Sequence, residues 1–342
     1  MMAEYTRPRD DAHPLRAADA RSSRVSLAET FGLTPPLSRR WGELRRALLG
    51  DHETPATRFG LSSLGMMRPA LSLGLWLGRR PRDRRAVVYN LFNHRQPPLE
   101  RGWSVERTNL EDFLGTDLTY DSHNGTDFAV PPGTLVVAAA PGRVLRVSNE
   151  FNRGGLKVFI DHGRGLITTS NHLARALVEP GEIVARGQLV ALSGYSGIDG
   201  VLTFPWGAPH VHFNVWLDGA YVDPFARPGE ASLWRGGNQP TPDDGADGWD
   251  AFEPTAWDPD AVEAGLRACR SEEARGDVLG FERGFERAAA LLFQMNYFPH
   301  RFASRVPLYP VSSSRAPWLD LPFDRSEYDG VRFAHGVVPP LT

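Results

Sequence analysis

The feature that most constrains this chain is a block of short, alternating segments between about residues 101 and 226. TLVVAAA, GRVLRVS, LKVFIDHG, QLVALSG and VHFNVWLDGAYVDP follow one another, with Gly, Pro, Asn or Asp between them. Valine-rich runs of this length, alternating in polarity and bounded by turn residues, read as strands joined by tight turns. The step Leu217-Asp218-Gly219-Ala220 is a hairpin signal. Every second side chain of a strand points to the same face. His210 and His212 in APHVHFNVW should therefore emerge side by side.

The flanks have a different character. Residues 1 to about 100 begin with a charged arm, MMAEYTRPRDDAHPLRAADARSS, expected to be mobile. Apolar positions then recur at helical spacing in LSRRWGELRRALLG and again from Leu61. LSSLGMMRPALSLGLWLG is interrupted by Arg68 and Pro69. A membrane span needs about 20 mostly apolar residues, so this stretch reads as a core-facing helix, with a membrane-associated segment as the lesser alternative. AVVYNLF, from Ala86, reads as a strand. After about 227, RGGNQPTPDDGADGWD reads as a linker. DPDAVEAGLRACRSEEARGDVLGFERGFERAAALLFQM reads as one or two helices with an Asp-Pro start. The segment from Pro307 is expected to wrap back over the body. The expected class is α+β: a compact antiparallel β-rich domain at 101–226, a mixed helical region at 1–100, and a linker plus helical region at 227–342.

Composition narrows the chemistry. A net charge of -3 over 342 residues gives no reason to expect nucleic acid or an anionic membrane as partner. No feature sets an oligomeric state. Cys269 is the only cysteine, which excludes an intramolecular disulfide and a cysteine zinc cage. Any zinc must be held by histidines and carboxylates. The N-terminal stretch lacks the apolar core of an export signal. The expected location is cytoplasmic, with a secreted or envelope location as the alternative if a leader was removed.

Four histidines of the β-rich block have suggestive neighbours. His123 and Asp127 are four apart in SHNGTDFAV, with Gly125 between them; His172 lies in TTSNHLA; His210 and His212 form the pair. A catalytic zinc takes three protein ligands and keeps one open position. His123, Asp127 and one histidine of the pair supply three. The spare histidine and His172 are then available to accept a proton and to steady a developing oxyanion. The pair alone would read as the polar face of a strand. With HNGTD and NHL beside it, metal chemistry is the stronger reading.

HNGTD, a valine-rich run, NHL and PHVHF, in that order, resemble the lysostaphin family of zinc metallopeptidases, which mostly cut the peptide cross-links of bacterial peptidoglycan. The resemblance covers about residues 120–225. GTLVVAAAPGRV, VFIDHGRGLITTSNHL and VEPGEIVARGQLVALSG resemble the connecting text. It implies one zinc per chain on His123, Asp127 and His212, with His210 as general base and His172 stabilising the transition state. It also implies a substrate groove and a peptide-containing substrate. The sequence departs from the family at Ser170, where an aromatic is usual, and at Asn214, where an acid is usual. It departs again in a longer loop carrying Phe204, Pro205 and Trp206. Ser170, Phe204, Trp206 and Asn214 are accordingly the candidates for substrate contact, with Phe204 and Trp206 reading equally well as core anchors.

The resemblance thus implies a peptidoglycan endopeptidase-like hydrolase that uses zinc-activated water. The alternative is an intracellular zinc enzyme on the same scaffold, acting on a specialised peptide, amide or other carbonyl substrate in a biosynthetic pathway. A non-catalytic binding module ranks last, because every ligand type is retained. His162 and Asp161 read as turn residues. His94, His300 and His335 read as structural, His335 mattering only if the C-terminal segment folds over the groove. Cys269 reads as a buried, inert thiol.

Overall fold

The computed structural model describes residues 24–245, 252–282, 284–310 and 314–334. The N-terminal arm, the end of the expected linker at 246–250 and His335 lie outside the described residues. The described part is organised by one 11-stranded sheet. Its strands are β1 (Arg85–Asn90), β2 (Thr126–Ala129), β3 (Leu135–Val137), β4 (Gly142–Glu150), β5 (Gly155–Asp161), β6 (Leu166–Ala176), β7 (Ile183–Val184), β8 (Leu189–Ser193), β9 (His210–Leu217), β10 (Ala220–Val222) and β11 (Gly330–Phe333). The path runs β11-β1-β2-β9-β6-β5-β4-β7; β10 pairs with β9, and β8 joins β3 to β6. Pairings are antiparallel apart from β1 with β11. Together with the helices this is an α+β architecture. The hairpin step is a β9–β10 turn, with Asp218 at φ 51° and Gly219 at φ 76°.

The alternation along β9 divides the sheet into two faces. Val211, Phe213 and Val215 enter one core with Phe128, Val144, Ile160 and Trp234. Trp216 points the other way and joins Phe159 and Ile167 in a second core. That second core is closed by three helices: α1 (Pro259–Ala268), α2 (Glu272–Leu279) and α3 (Gly284–Tyr297). His210 and His212 share the Trp216 parity, so the C-terminal helices cover the far end of the histidine-bearing face.

The helices start where their caps dictate. Asp258 accepts from the Asp260 and Ala261 amides ahead of Pro259, and Ser271 accepts from the Ala274 amide. The expected one or two helices are three, because Cys269 takes extended backbone and Ser271 restarts the helix. The run from Leu61 is also divided. Leu61–Met66 is a 3-10 turn with Leu61 and Leu64 exposed; only Pro69–Trp76 is α-helical and buries Leu71 and Leu75. Pro69 lacks an amide donor and displaces Arg68 from helical backbone. Residues 235–245 of the expected linker lie against the body: the Leu321 amide donates to the Thr241 carbonyl, and Arg235 pairs with Asp320. Among the described residues, no helix is long and apolar enough to cross a membrane.

Candidate metal centre

The site is built across β2 and β9. Their antiparallel register sets Asp127 opposite His212 and Ala129 opposite His210. His123 comes from the turn before β2, which must pass very close to β9. A Cβ at Gly125 would meet the Phe213 carbonyl oxygen at 2.6 Å and His212 Nε2 at 2.8 Å, so only glycine fits there. His123 Nε2 lies 3.0 Å and His212 Nδ1 2.7 Å from Asp127 Oδ1. The two nitrogens are 3.2 Å apart. The ligand atoms of the three residues all lie within 4.8 Å of one another.

This arrangement suits a cation. The Leu91 carbonyl can only accept, so His123 Nδ1 donates to it at 2.6 Å, and in the neutral ring Nε2 is left bare. That bare nitrogen faces a carboxylate oxygen and a second imidazole nitrogen. A tetrahedral zinc with bonds of about 2.0–2.1 Å sets its ligand atoms about 3.3 Å apart, close to the edges of this triangle. Burial opposes a charge on Asp127, yet the surrounding His123, His210 and His212 hold its carboxyl well below the usual range. Asn90 Nδ2, from β1, donates to Asp127 Oδ2 at 2.7 Å and leaves Oδ1 for the cluster. His212 Nε2 meets Asn124 Oδ1 at 3.2 Å and Asn214 Nδ2 at 2.8 Å.

The other two histidines border the triangle. His210 Nδ1 donates to the Ala208 carbonyl at 2.8 Å and also meets the Tyr89 hydroxyl at 2.7 Å. Its Nε2, 3.6 Å from Asp127 Oδ1, carries the free lone pair. Burial pushes His210 down to about 3 against the pull of Asp127, so the ring is neutral at pH 7. His172 reaches the site by a β-bulge. Asn171 and His172 together oppose the single residue Lys157, and His172 sits at φ 59°. Plain alternation would have put His172 with Ser170 on the opposite face. His172 Nδ1 donates to the Ser196 carbonyl at 2.8 Å, and its ring centroid is 4.7 Å from that of His210.

Two of the candidates for substrate contact, Asn214 and Ser170, are buried. Asn214 is fully buried behind His212, where Oδ1 accepts from Thr169 Oγ1, Asn171 Nδ2 and the Tyr297 hydroxyl. It supports the site from beneath. Ser170 pairs with Phe213 and shares that residue's face, away from the histidines. Phe204 and Trp206 are about half exposed; Phe204 packs on Phe31 and Trp76. Sequence reading missed Tyr89, Asn90 and Asn124. The first two sit in the strand read at AVVYNLF, whose pairing partner no local pattern reveals.

The turn and structural readings of the remaining residues match their contacts. Asp161 accepts from the Gly163 amide, and His162 bridges the Pro141 carbonyl and the Thr168 hydroxyl. His94 pairs with Asp223. Cys269 is buried, and burial raises its thiol. A cavity of about 720 Å³ lined by Arg46, Glu150, Phe293 and Arg301, among others, contains none of the five site residues.

Part of the chain is similar to known proteins. Residues 121–224 match the model of Peptidase family M23. Over 102 residues, 30% of this chain, the sequence is 38% identical to the peptidoglycan DD-endopeptidase ShyA of Vibrio cholerae, covering 22% of that protein. It is 37% identical over 103 residues, again 30% of this chain, to an uncharacterized metalloprotease of Haemophilus influenzae, covering 20% of it. The chain thus spans about a fifth of the length of these curated relatives. A solved zinc-containing peptidase from Vibrio cholerae is 29% identical, covering 42% of this chain and 39% of that one, with a TM-score of 0.30. The stretch that carries the His-Asp-His triangle, residues 121–224, is a lysostaphin-type domain of Peptidase family M23.

Proposed function

We propose that this chain is a zinc-dependent metallopeptidase that hydrolyses a peptide bond in peptidoglycan or a closely similar cross-linked peptide. The observation that carries the reading is the triangle of His123 Nε2, Asp127 Oδ1 and His212 Nδ1. Those three residues would hold the metal. Two nitrogens and one carboxylate oxygen are a donor set that suits zinc. Zinc bound there supplies Lewis acidity toward water and toward the scissile carbonyl oxygen.

The chain's own side chains do the rest. Asn90 and the Leu91 carbonyl fix the orientation of Asp127 and His123. His210, neutral and with Nδ1 already committed to Ala208, takes the proton of the attacking water on Nε2. His172, its ring centroid 4.7 Å from that of His210, steadies the charge developing on the reacting carbonyl. His172 Nε2 lies 4.0 Å from the Asp199 carboxylate. Phe204 and Trp206 form an apolar rim for the substrate. A peptidoglycan substrate lies outside the cytoplasm, so we infer a working location in the cell envelope in place of the cytoplasmic expectation.

The test is digestion of purified sacculi. The zinc-loaded chain should release soluble fragments and convert cross-linked stems into un-cross-linked ones, and chelation should stop this until zinc is restored. No release under any metal condition would remove the peptidoglycan reading and reopen the specialised-substrate alternative.

A further inference from the structure

The roles described so far leave one buried charge without a task. Arg153 lies on the turn between β4 and β5 and is 7% exposed. Its Nη1 donates to the adjacent Asn152 carbonyl at 2.8 Å, and its Nε has no hydrogen-bond partner. Among the described residues it forms no ion pair; the Asp199 carboxylate attracts it only at longer range. Other buried arginines here do: Arg40 pairs with Glu43 at 3.0 Å, and Arg186 with Asp320 at 2.9 Å. The Arg153 guanidinium instead sits between Trp103 and Phe298, 5.4 and 5.3 Å from their ring centroids. Aromatic faces offset only part of the cost of burying a cation; a buried charge ordinarily needs a counter-charge.

The turn is held rigidly beside the metal cluster. Lys157, the chain's only lysine, is fully buried, pairs with Glu150 at 2.7 Å and donates to the Arg153 and Gly155 carbonyls. The Gly154 carbonyl accepts from the His172 amide at 2.8 Å. A Cβ on Gly154 would meet Asn171 Cβ at 3.3 Å, and Asn171 Nδ2 donates to the His212 carbonyl at 2.8 Å. On the other side, Trp103 precedes Ser104, whose carbonyl accepts from the Ser122 amide next to His123. Trp103 Nε1 in turn donates to the Tyr297 carbonyl at 3.2 Å, and the Tyr297 hydroxyl donates to Asn171 Oδ1. Burial lowers Arg153 to about 10, so it stays cationic at neutral pH.

We infer that Arg153 is a specificity-determining residue that receives a carboxylate of the substrate, the free C-terminal carboxylate of a peptide stem. The inference rests on the peptidase reading and deepens it. A guanidinium presents parallel N–H donors that match the two oxygens of a carboxylate. Trp103 and Phe298 would exclude water from that pair and confine it to a plane. A carboxylate is also the anion that a peptide substrate carries.

The test compares two synthetic cross-linked stem peptides, identical except that one ends in a free carboxylate and the other in a carboxamide. For the zinc-loaded full chain, kcat/KM should favour the acid by about 10- to 100-fold. Arg153→Gln should bring the ratio to within about twofold, chiefly by lowering turnover of the acid, and Arg153→Lys should restore part of the preference. Equilibrium binding of both peptides is measured in parallel on the chelated protein, where no cleavage is needed. Equal treatment of acid and amide by the wild-type chain, in cleavage or in binding, overturns the inference even if every variant misfolds. An Arg153→Gln chain that keeps the preference overturns it too. A wild-type chain that binds the acid selectively through Arg153 but cleaves neither peptide supports the carboxylate site and contradicts the peptidase reading instead.

Discussion

Single residues divide the site into groups that would hold a metal and groups that would handle protons. His210→Ala and His172→Ala should each lower kcat by about 10²- to 10⁴-fold while zinc content stays at the wild-type level. Loss of zinc from either variant would show that the histidine is a ligand. Asn90 donates to the oxygen of Asp127 that faces away from the cluster, so Asn90→Ala should weaken zinc affinity by about 10- to 100-fold. A competition titration with a zinc chelator reads that directly. The ordered motifs in the sequence were enough to single out His123, Asp127, His172, His210 and His212. They could not single out Tyr89, Asn90 or Asn124, because those residues act through contacts with partners as far as 121 positions away. Nor could they place Asn214 beneath His212, since the same strand position could have faced a substrate.

Elements account for what alternation alone could not foresee. The histidine pair on β9 follows simple strand parity, which is why its shared direction was legible. His172 reaches the same site only through the bulge at Asn171–His172 and a left-handed backbone at φ 59°. That conformation costs a non-glycine residue free energy and is often retained at functional sites. His172→Gly should accordingly match or exceed wild-type stability in denaturant melts while activity is lost. His172→Val should lose about 1–3 kcal/mol. The C-terminal helices were visible as helices, but their docking surface was not: Phe159, Ile167 and Trp216 looked like ordinary strand residues. In the fold these residues meet α3, where Leu291 is fully buried. Leu291→Ala should cost about 2–5 kcal/mol of global stability, measurable from the urea midpoint.

At the scale of the whole molecule, the family match ends at residue 224 while the sheet does not. β1 and β11 lie outside 101–226, yet they extend the sheet next to β2, and Ala86, Val88, Leu319 and Val331 share a core with Phe128 and Phe213. We propose that residues 101–226 depend on their flanks, so an isolated 101–226 fragment should lack a cooperative melt. The chain should also be acid-sensitive. Burial lowers His162 to about 4 from its ordinary 6.5, so the unfolded chain takes up that proton first. Its contribution is complete above about pH 6.5 and is lost as pH falls toward 4, up to about 3 kcal/mol. His162→Gln should flatten the stability profile across that window. The central claim, a single zinc held by two imidazoles and one carboxylate, is tested most directly by zinc-edge X-ray absorption on the stoichiometrically loaded chain. One zinc is expected, with nitrogen and oxygen neighbours at about 2.0–2.1 Å, no sulfur, and loss of that signal in Asp127→Ala. A zinc bound through Cys269, or an unchanged spectrum and stoichiometry in Asp127→Ala, would contradict it.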